Sequence, residues 1–390
     1  MRLCSKNFAG LFVVRFFLGV CEGSITAGFM IVTSMFYTKT EQAQRVSCWF
    51  LMNGTAQLFN GLVAFGIYQM KHPLIPRWEI LFITTGAITF FLGVAWWFLF
   101  PDSSTTAWFL TEDERAQAVN RIKGNQTGVE NKTWKMDQFW EALTDTKVWL
   151  FTLFALFDNI PNSLTNQAST IYTELGFSHL ISTVLGIPSG VIEILTIGSG
   201  IYFLGKFPNS RAWISILYFI PNVVGAIMII ALSQTQWNQA GKHAILGGIY
   251  LSGFGTTGFV ISLAWLQATT AGHTKKTTAM AMNLIGYCVG NIIGPQVWQS
   301  KFSPKNVVPW SIVLACYVIS PIIMYIIRCL LVRENLRRDR AKLDAQQNRA
   351  DDDEEVVEVK HSDGTVTVER VDVAFLDLTD KANQDFRYCL

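Results

Sequence analysis

The sequence predicts an all-α integral membrane protein, a helical bundle of about nine spans. Half of the 390 residues are apolar and only 15% are charged. The apolar residues come in blocks of about twenty and more, long enough to cross the roughly 30 Å hydrocarbon core of a bilayer as helices. Apart from 101–146 and the tail, the connections between the blocks are short. A net charge of +2 is too small to point to nucleic acid. The seven cysteines have neither disulfide nor metal-ligand spacing, so no metal and no cofactor are expected. A membrane enzyme needs nucleophiles or metal ligands converging near one face; no such set is legible.

The candidate spans are 8–37, 46–70, 78–100, 147–169, 181–204, 213–233, 244–266, 277–299 and 308–332. The first holds two ionisable residues inside an apolar run, Arg15 and Glu22. A charge at membrane depth costs at least about 2.5–3.5 kcal/mol and usually marks a pathway or a site. The two lie two helical turns apart, about 10 Å, and so near one face. Gly19 and Gly23 leave room beside them. A cation, a carboxylate and small residues suit an anion and a proton. The alternatives are that Arg15 snorkels to the near interface, and that Glu22 is a hydrogen-bonded structural acid.

Nine spans place the termini on opposite sides. With the long loop and the tail inside, about 18 basic residues face the cytoplasm and about 7 the other side, which puts the N-terminus outside. In the loop, Thr111 and Glu114 form a T-x-x-E capping box that starts an amphipathic helix running to about Lys123. The glycosylation sequons at Asn125 and Asn131 are cytoplasmic on this topology and expected to be unmodified.

The fourth span carries Asn159, Asn162 and Asn166 at helical spacing around Pro161. Amides both donate and accept, which suits a carboxylate or a ring nitrogen; interhelical hydrogen bonding is the equal alternative. Glu193 in the fifth span is a second candidate proton site, or a bonded structural acid. In the eighth span Gly286, Gly290 and Gly294 make a smooth face for close helix packing, with Asn283 and Asn291 beside it. The first and seventh spans share a pattern: GSITAGFMIV is followed by Arg45 and Asn53, and GFGTTGFVIS by Lys275 and Asn283. Such internal symmetry is typical of transporter halves. It pairs spans 1–3 with 7–9 and leaves an expected three-span unit missing before Met1.

RFFLGVCEG in the first span, PDSSTTAWFLTEDER after the third and the closing DLTDKANQDFRY resemble the fungal allantoate permease family. That family belongs to the anion:cation symporters of the major facilitator superfamily. The resemblance covers nearly the whole chain. It implies a major-facilitator-type bundle, normally of twelve spans in two six-helix halves. It also implies proton symport, by alternating access, of small monocarboxylates such as allantoate, nicotinate, pantothenate or biotin. By this likeness the first span matches the family's fourth. Arg15 then matches the substrate-pathway arginine, and Glu22 the proton-pathway carboxylate. The expected organisation is a partial N-terminal bundle at 1–100, a cytoplasmic loop at 101–146, a six-span C-terminal bundle at 147–333 and a mostly disordered cytoplasmic tail at 334–390. Expected substrate contacts are Arg15, Asn159, Asn162, Asn166 and Asn283; expected proton-coupling residues are Glu22 and Glu193. The implied partners are a small organic anion, protons and the lipid bilayer, at the plasma membrane. The alternative is a truncated non-transporting membrane protein or a sensor.

Overall fold

The computed structural model describes residues 7–70, 75–101, 103, 105–123, 134–207, 209–235, 238–348, 356–360, 366–370 and 377–390. Both sequons lie outside the described residues. The all-α class holds. Apart from one hairpin, β1 (Val356–Lys360) with β2 (Val366–Arg370), the regular elements described are helices.

Three long helices come first: α1 (Phe8–Phe36), α2 (Lys39–Tyr68) and α3 (Arg77–Leu99). α3 has no buried residue although it is apolar over most of its length. A helix of that kind has lipid as its solvent. α2 starts on a capping box in which Thr38 and Glu41 satisfy each other's backbone N–H groups. α4 (Glu112–Lys123) starts on the expected box, with the Thr111 N–H donating to Glu114 at 2.9 Å. Arg121 of α4 pairs with Glu41, which ties the loop helix to the start of α2.

α5 (Met136–Thr144) leads into α6 (Thr146–Asn159) and α7 (Ser163–Glu174). The expected fourth span is therefore broken between Asn159 and Ser163. Pro161 has no N–H to continue the helical ladder, and at the break the Ile160 carbonyl accepts from the Ser163 backbone N–H (3.3 Å) and hydroxyl (2.9 Å). α8 (His179–Lys206) and α9 (Arg211–Thr235) are continuous. The expected seventh span is broken too, into α10 (Gln239–Leu251) and α11 (Thr256–Ala268), with Tyr317 donating to the Ser252 carbonyl in the gap at 3.2 Å. α12 (His273–Val297) and α13 (Val307–Asn348) complete the bundle. Every expected span thus has a helix or a broken pair, and among the described residues seven segments are long and apolar enough to cross a membrane by length and composition.

Close packing decides which helices touch. The glycine stripe of α12 lies on the backbone of α6. A Cβ at Gly290 would sit 2.5 Å from the Leu156 carbonyl oxygen and one at Gly294 2.6 Å from that of Ile160. α2 and α8 approach through Gly54 and Gly190 in the same way.

The expected disorder of the tail is corrected for residues 377–390. This segment is packed, with Phe386 and Asp380 at 0% exposure. Arg338 of α13 donates to the carbonyls of Asp380 (2.8 Å) and Phe386 (2.7 Å). Asn335 exchanges two hydrogen bonds with the Tyr388 backbone, and Trp265 of α11 donates to the Cys389 carbonyl at 2.8 Å. Asp380 sits between two buried lysines, 2.7 Å from Lys147 Nζ and 2.7 Å from Lys275 Nζ; Lys275 also meets Asp145 at 2.9 Å and Glu141 at 2.8 Å. Burial alone would raise the Asp380 carboxyl, but Lys147 and Lys275 outweigh it and hold the group well below the usual carboxylate range. A polar segment folds here because its partners supply the charges and donors that water would otherwise provide.

Candidate functional site

α1 and α2 face α11 and α12 across a cleft that encloses a cavity of about 70 Å³. From α1 the walls receive Thr26 and Met30; from α2, Phe50; from α11, Phe259 and Leu263; and from α12, Met280, Asn283, Leu284 and Tyr287. Phe259 stacks on Tyr287 with ring centroids 5.8 Å apart, and Phe50 meets Phe259 edge-on at 6.2 Å. Toward the tail, the cleft is closed by Gln267, which donates to the Met30 carbonyl. The pocket is mostly apolar and aromatic with a few convergent polar groups, the usual make-up of a small-molecule site.

Helical spacing connects this cavity to the ionisable residues of α1. Arg15, Glu22, Thr26 and Met30 recur at intervals of seven, four and four residues and so share one face of the helix. Thr26 and Met30 line the cavity; Glu22 lies one turn beyond Thr26 and Arg15 two turns further. Arg15 and Glu22 are both exposed, and no ion pair joins them among the described residues. A Cβ at Gly19 or Gly23 would meet nothing within 4 Å, so the space beside the two charges is open.

The other expected contacts divide into two groups. Asn283 is buried and lines the cavity. Asn159 and Asn162 are brought together by Asn291 of α12: Asn162 donates to Asn291 at 2.8 Å, and Asn291 to Asn159 at 3.4 Å. This amide chain bridges the break between α6 and α7 to α12. Asn166 does not join it and is exposed on α7. Glu193 lies elsewhere, buried between α8 and α2, where its two oxygens accept from Asn53 (2.9 Å) and Gln57 (2.5 Å). Both carboxylate oxygens are thus occupied by side-chain amide donors of α2.

Sequence reasoning missed the aromatic lining. Phe50 lies one turn before Asn53 on α2, and Phe259 and Tyr287 fall in glycine-bearing apolar runs. There an aromatic side chain reads equally as lipid-facing or as site-facing. The pairing emerges only once α2, α11 and α12 are side by side.

A model of the Major Facilitator Superfamily matches residues 2–295. An uncharacterized transporter of Schizosaccharomyces pombe is 32% identical over 397 residues, covering 100% of this chain and 68% of that protein. The allantoate permease of Saccharomyces cerevisiae is 30% identical over 394 residues, covering 98% of this chain and 68% of the permease. The high affinity cysteine transporter of the same yeast is 29% identical, covering 98% of this chain and 73% of the transporter. Among solved structures, a proton:xylose symporter bound to 6-bromo-6-deoxy-D-glucose aligns with a TM-score of 0.59 at 16% identity, over 76% of this chain and 66% of that one. The chain spans about two thirds of the length of these relatives. The seven apolar segments found among the described residues and the matched family model agree: this is a multi-pass membrane protein of the Major Facilitator Superfamily.

Proposed function

We propose that the chain works as a secondary active transporter of a small organic anion, a monocarboxylate of the allantoate, nicotinate, pantothenate or biotin type, carried with protons by alternating access. The observation that carries this reading is the α1 stripe. One helix face runs from a lone arginine through a carboxylate into an aromatic-walled cavity, with the Asn283 amide on its far side. A guanidinium grips a carboxylate with two parallel N–H donors; the aromatic walls suit the planar remainder of such an anion. Broken helices beside the cleft are the usual architecture of transporter sites. Similarity to an allantoate permease supports the choice of anion class, and similarity to a proton:xylose symporter supports the fold alone.

Glu22 is the proposed proton carrier, with Glu193 the second candidate. Glu22 has open space around it, whereas Glu193 is already held by two amides. The tail and the 101–146 loop are placed in the cytoplasm and the N-terminus outside, at the plasma membrane, on the balance of basic residues.

Cells expressing the chain should take up labelled nicotinate, allantoate, pantothenate or biotin faster at external pH 5 than in the presence of a protonophore. Equal uptake with and without the proton gradient contradicts symport; no uptake of any of the four contradicts the substrate class.

A further inference from the structure

A second cavity lies at the tail end of the bundle and shares no lining residue with the cleft. We propose that it binds the headgroup of an anionic phospholipid. The cavity is about 740 Å³ and is bounded by α13, the start of α6 and the docked tail. Along its α13 wall one stripe runs at four-residue spacing: Tyr325, Cys329, Arg333 and Arg337. Over about 18 Å this stripe changes from apolar to cationic, in the same order in which a phospholipid presents acyl chain and then phosphate. Tyr325 and its neighbour Ile326 are half exposed, as a surface covered by acyl chains would be.

The aromatic rings mark the level. Trp213 lies 6.0 Å from the Tyr325 ring with Arg328 over its face, and Trp149 at the start of α6 is half exposed. Exposed tryptophans gather at headgroup depth. Arg333 and Arg337 lie two and three turns beyond Tyr325, on the tail side of that aromatic level, within reach of a headgroup whose acyl chains cover Tyr325 and Ile326.

The charges left over are positive. Of the acids lining the cavity, Asp145 is held by Lys275 at 2.9 Å, and Glu334 by Arg337 and Arg338 at 2.8 and 2.9 Å. Lys147 and Arg338 are consumed by the tail. Arg333 is exposed and has no ion pair among the described residues, and Lys381 of the tail, half exposed, comes only within 3.7 Å of Asp145. Arg333 and Lys381 thus offer donors to a phosphate, with the N–H groups of Arg337 that Glu334 does not use beside them, and a guanidinium suits it with two. A zwitterionic headgroup brings an ammonium into the same basic environment and is disfavoured. The docked tail forms one wall, so the site exists only because residues 377–390 are folded.

The test uses the purified full chain and native mass spectrometry, with phosphatidylinositol and phosphatidylcholine offered at equal concentration. The wild type should retain phosphatidylinositol about tenfold or more over phosphatidylcholine, since each basic residue near an anionic headgroup contributes roughly fivefold. The Arg333→Ala/Arg337→Ala double variant should lose that preference, and Lys301→Ala, at the other end of the bundle, should keep it. Should the double variant not remain monodisperse, Arg333→Gln is scored by the same ratio. Equal retention of the two lipids by the wild type overturns the proposal, as does a preference that survives in the arginine variants. Glycerophosphoinositol, the headgroup without acyl chains, should not displace the lipid at equal concentration; displacement means a soluble-anion site and overturns the lipid assignment.

Discussion

Arg15 and Asp380 are both charges in unusual places, and they make opposite demands. Arg15 stands exposed beside open space and is useful only if something comes to it. Arg15→Lys should lower uptake about tenfold or more, because one ammonium cannot reproduce a planar two-donor grip, and a charged hydrogen bond contributes roughly 1.5–3 kcal/mol. Initial-rate uptake at subsaturating anion checks this; an unchanged half-saturation removes Arg15 from the site. Asp380 is fully enclosed by two lysines, and its loss leaves them facing each other. Asp380→Ala should cost about 3–5 kcal/mol, read as a drop in thermal unfolding temperature. The carboxyl is depressed, so its contribution is present above the unfolded value of about 3.9 and is lost as pH falls through the folded value. Lys275 is raised, because Asp380 and Asp145 reverse the effect of burial. Its contribution is present below about 10.4 and is lost as pH rises through the folded value. Lys147 is lowered, because burial outweighs its acid partners, so the variant can relieve the two facing lysines by losing a proton as pH rises. The clear signature is on the acid side: the gap between wild type and Asp380→Ala should narrow as pH falls below about 4, and a gap unchanged down to about pH 3 contradicts the ionic account. Arg15 and Glu22 were legible because a charge stands out in an apolar run. Asp380 was not, because its partners Lys147 and Lys275 lie far back in the chain and a D-x-x-D in a polar tail looks like any solvated stretch.

At the scale of the elements, small residues and proline were the readable signals, and each was read in part. The glycines of α12 recur every four residues, and the structure sets them against the backbone of α6. Gly290→Leu should separate the two helices at a cost of about 1–3 kcal/mol or more. It should also break the hydrogen bonds from Asn291 to Asn159 and Asn162, so the variant should unfold at lower temperature and transport poorly. Wild-type thermal stability would show that the contact is not tight. Pro161 announced a disturbance in the fourth span, and the chain there breaks outright into α6 and α7. The equivalent break between α10 and α11 has no proline to announce it; Ser252, Gly253 and Gly255 supply the weak helix propensity, and the Tyr317 hydroxyl fixes the gap. Amide spacing alone grouped Asn166 with Asn159 and Asn162, but the break after Asn159 resets the helical phase, so Asn166 faces out.

The whole molecule joins two kinds of construction. The ends of α6, α11, α12 and α13 are tied by residues 377–390 through buried ion pairs and backbone hydrogen bonds. The cleft between α1–α2 and α11–α12 is held at one end by Gln267 on Met30 and is open beside Arg15 and Glu22. A bundle stiff at its base and open at a charged cleft suits a carrier whose halves move against each other. On the proposed function, an anion bound at Arg15 and a proton bound at Glu22 would each favour the other's binding by the same free energy. Glu22→Gln imitates the protonated state permanently. The direct test is labelled-anion counterflow and pH-gradient-driven uptake, measured in the same vesicles for wild type and Glu22→Gln. The variant should retain counterflow and lose accumulation. Accumulation at the wild-type level by Glu22→Gln would contradict the assignment of the proton to this residue.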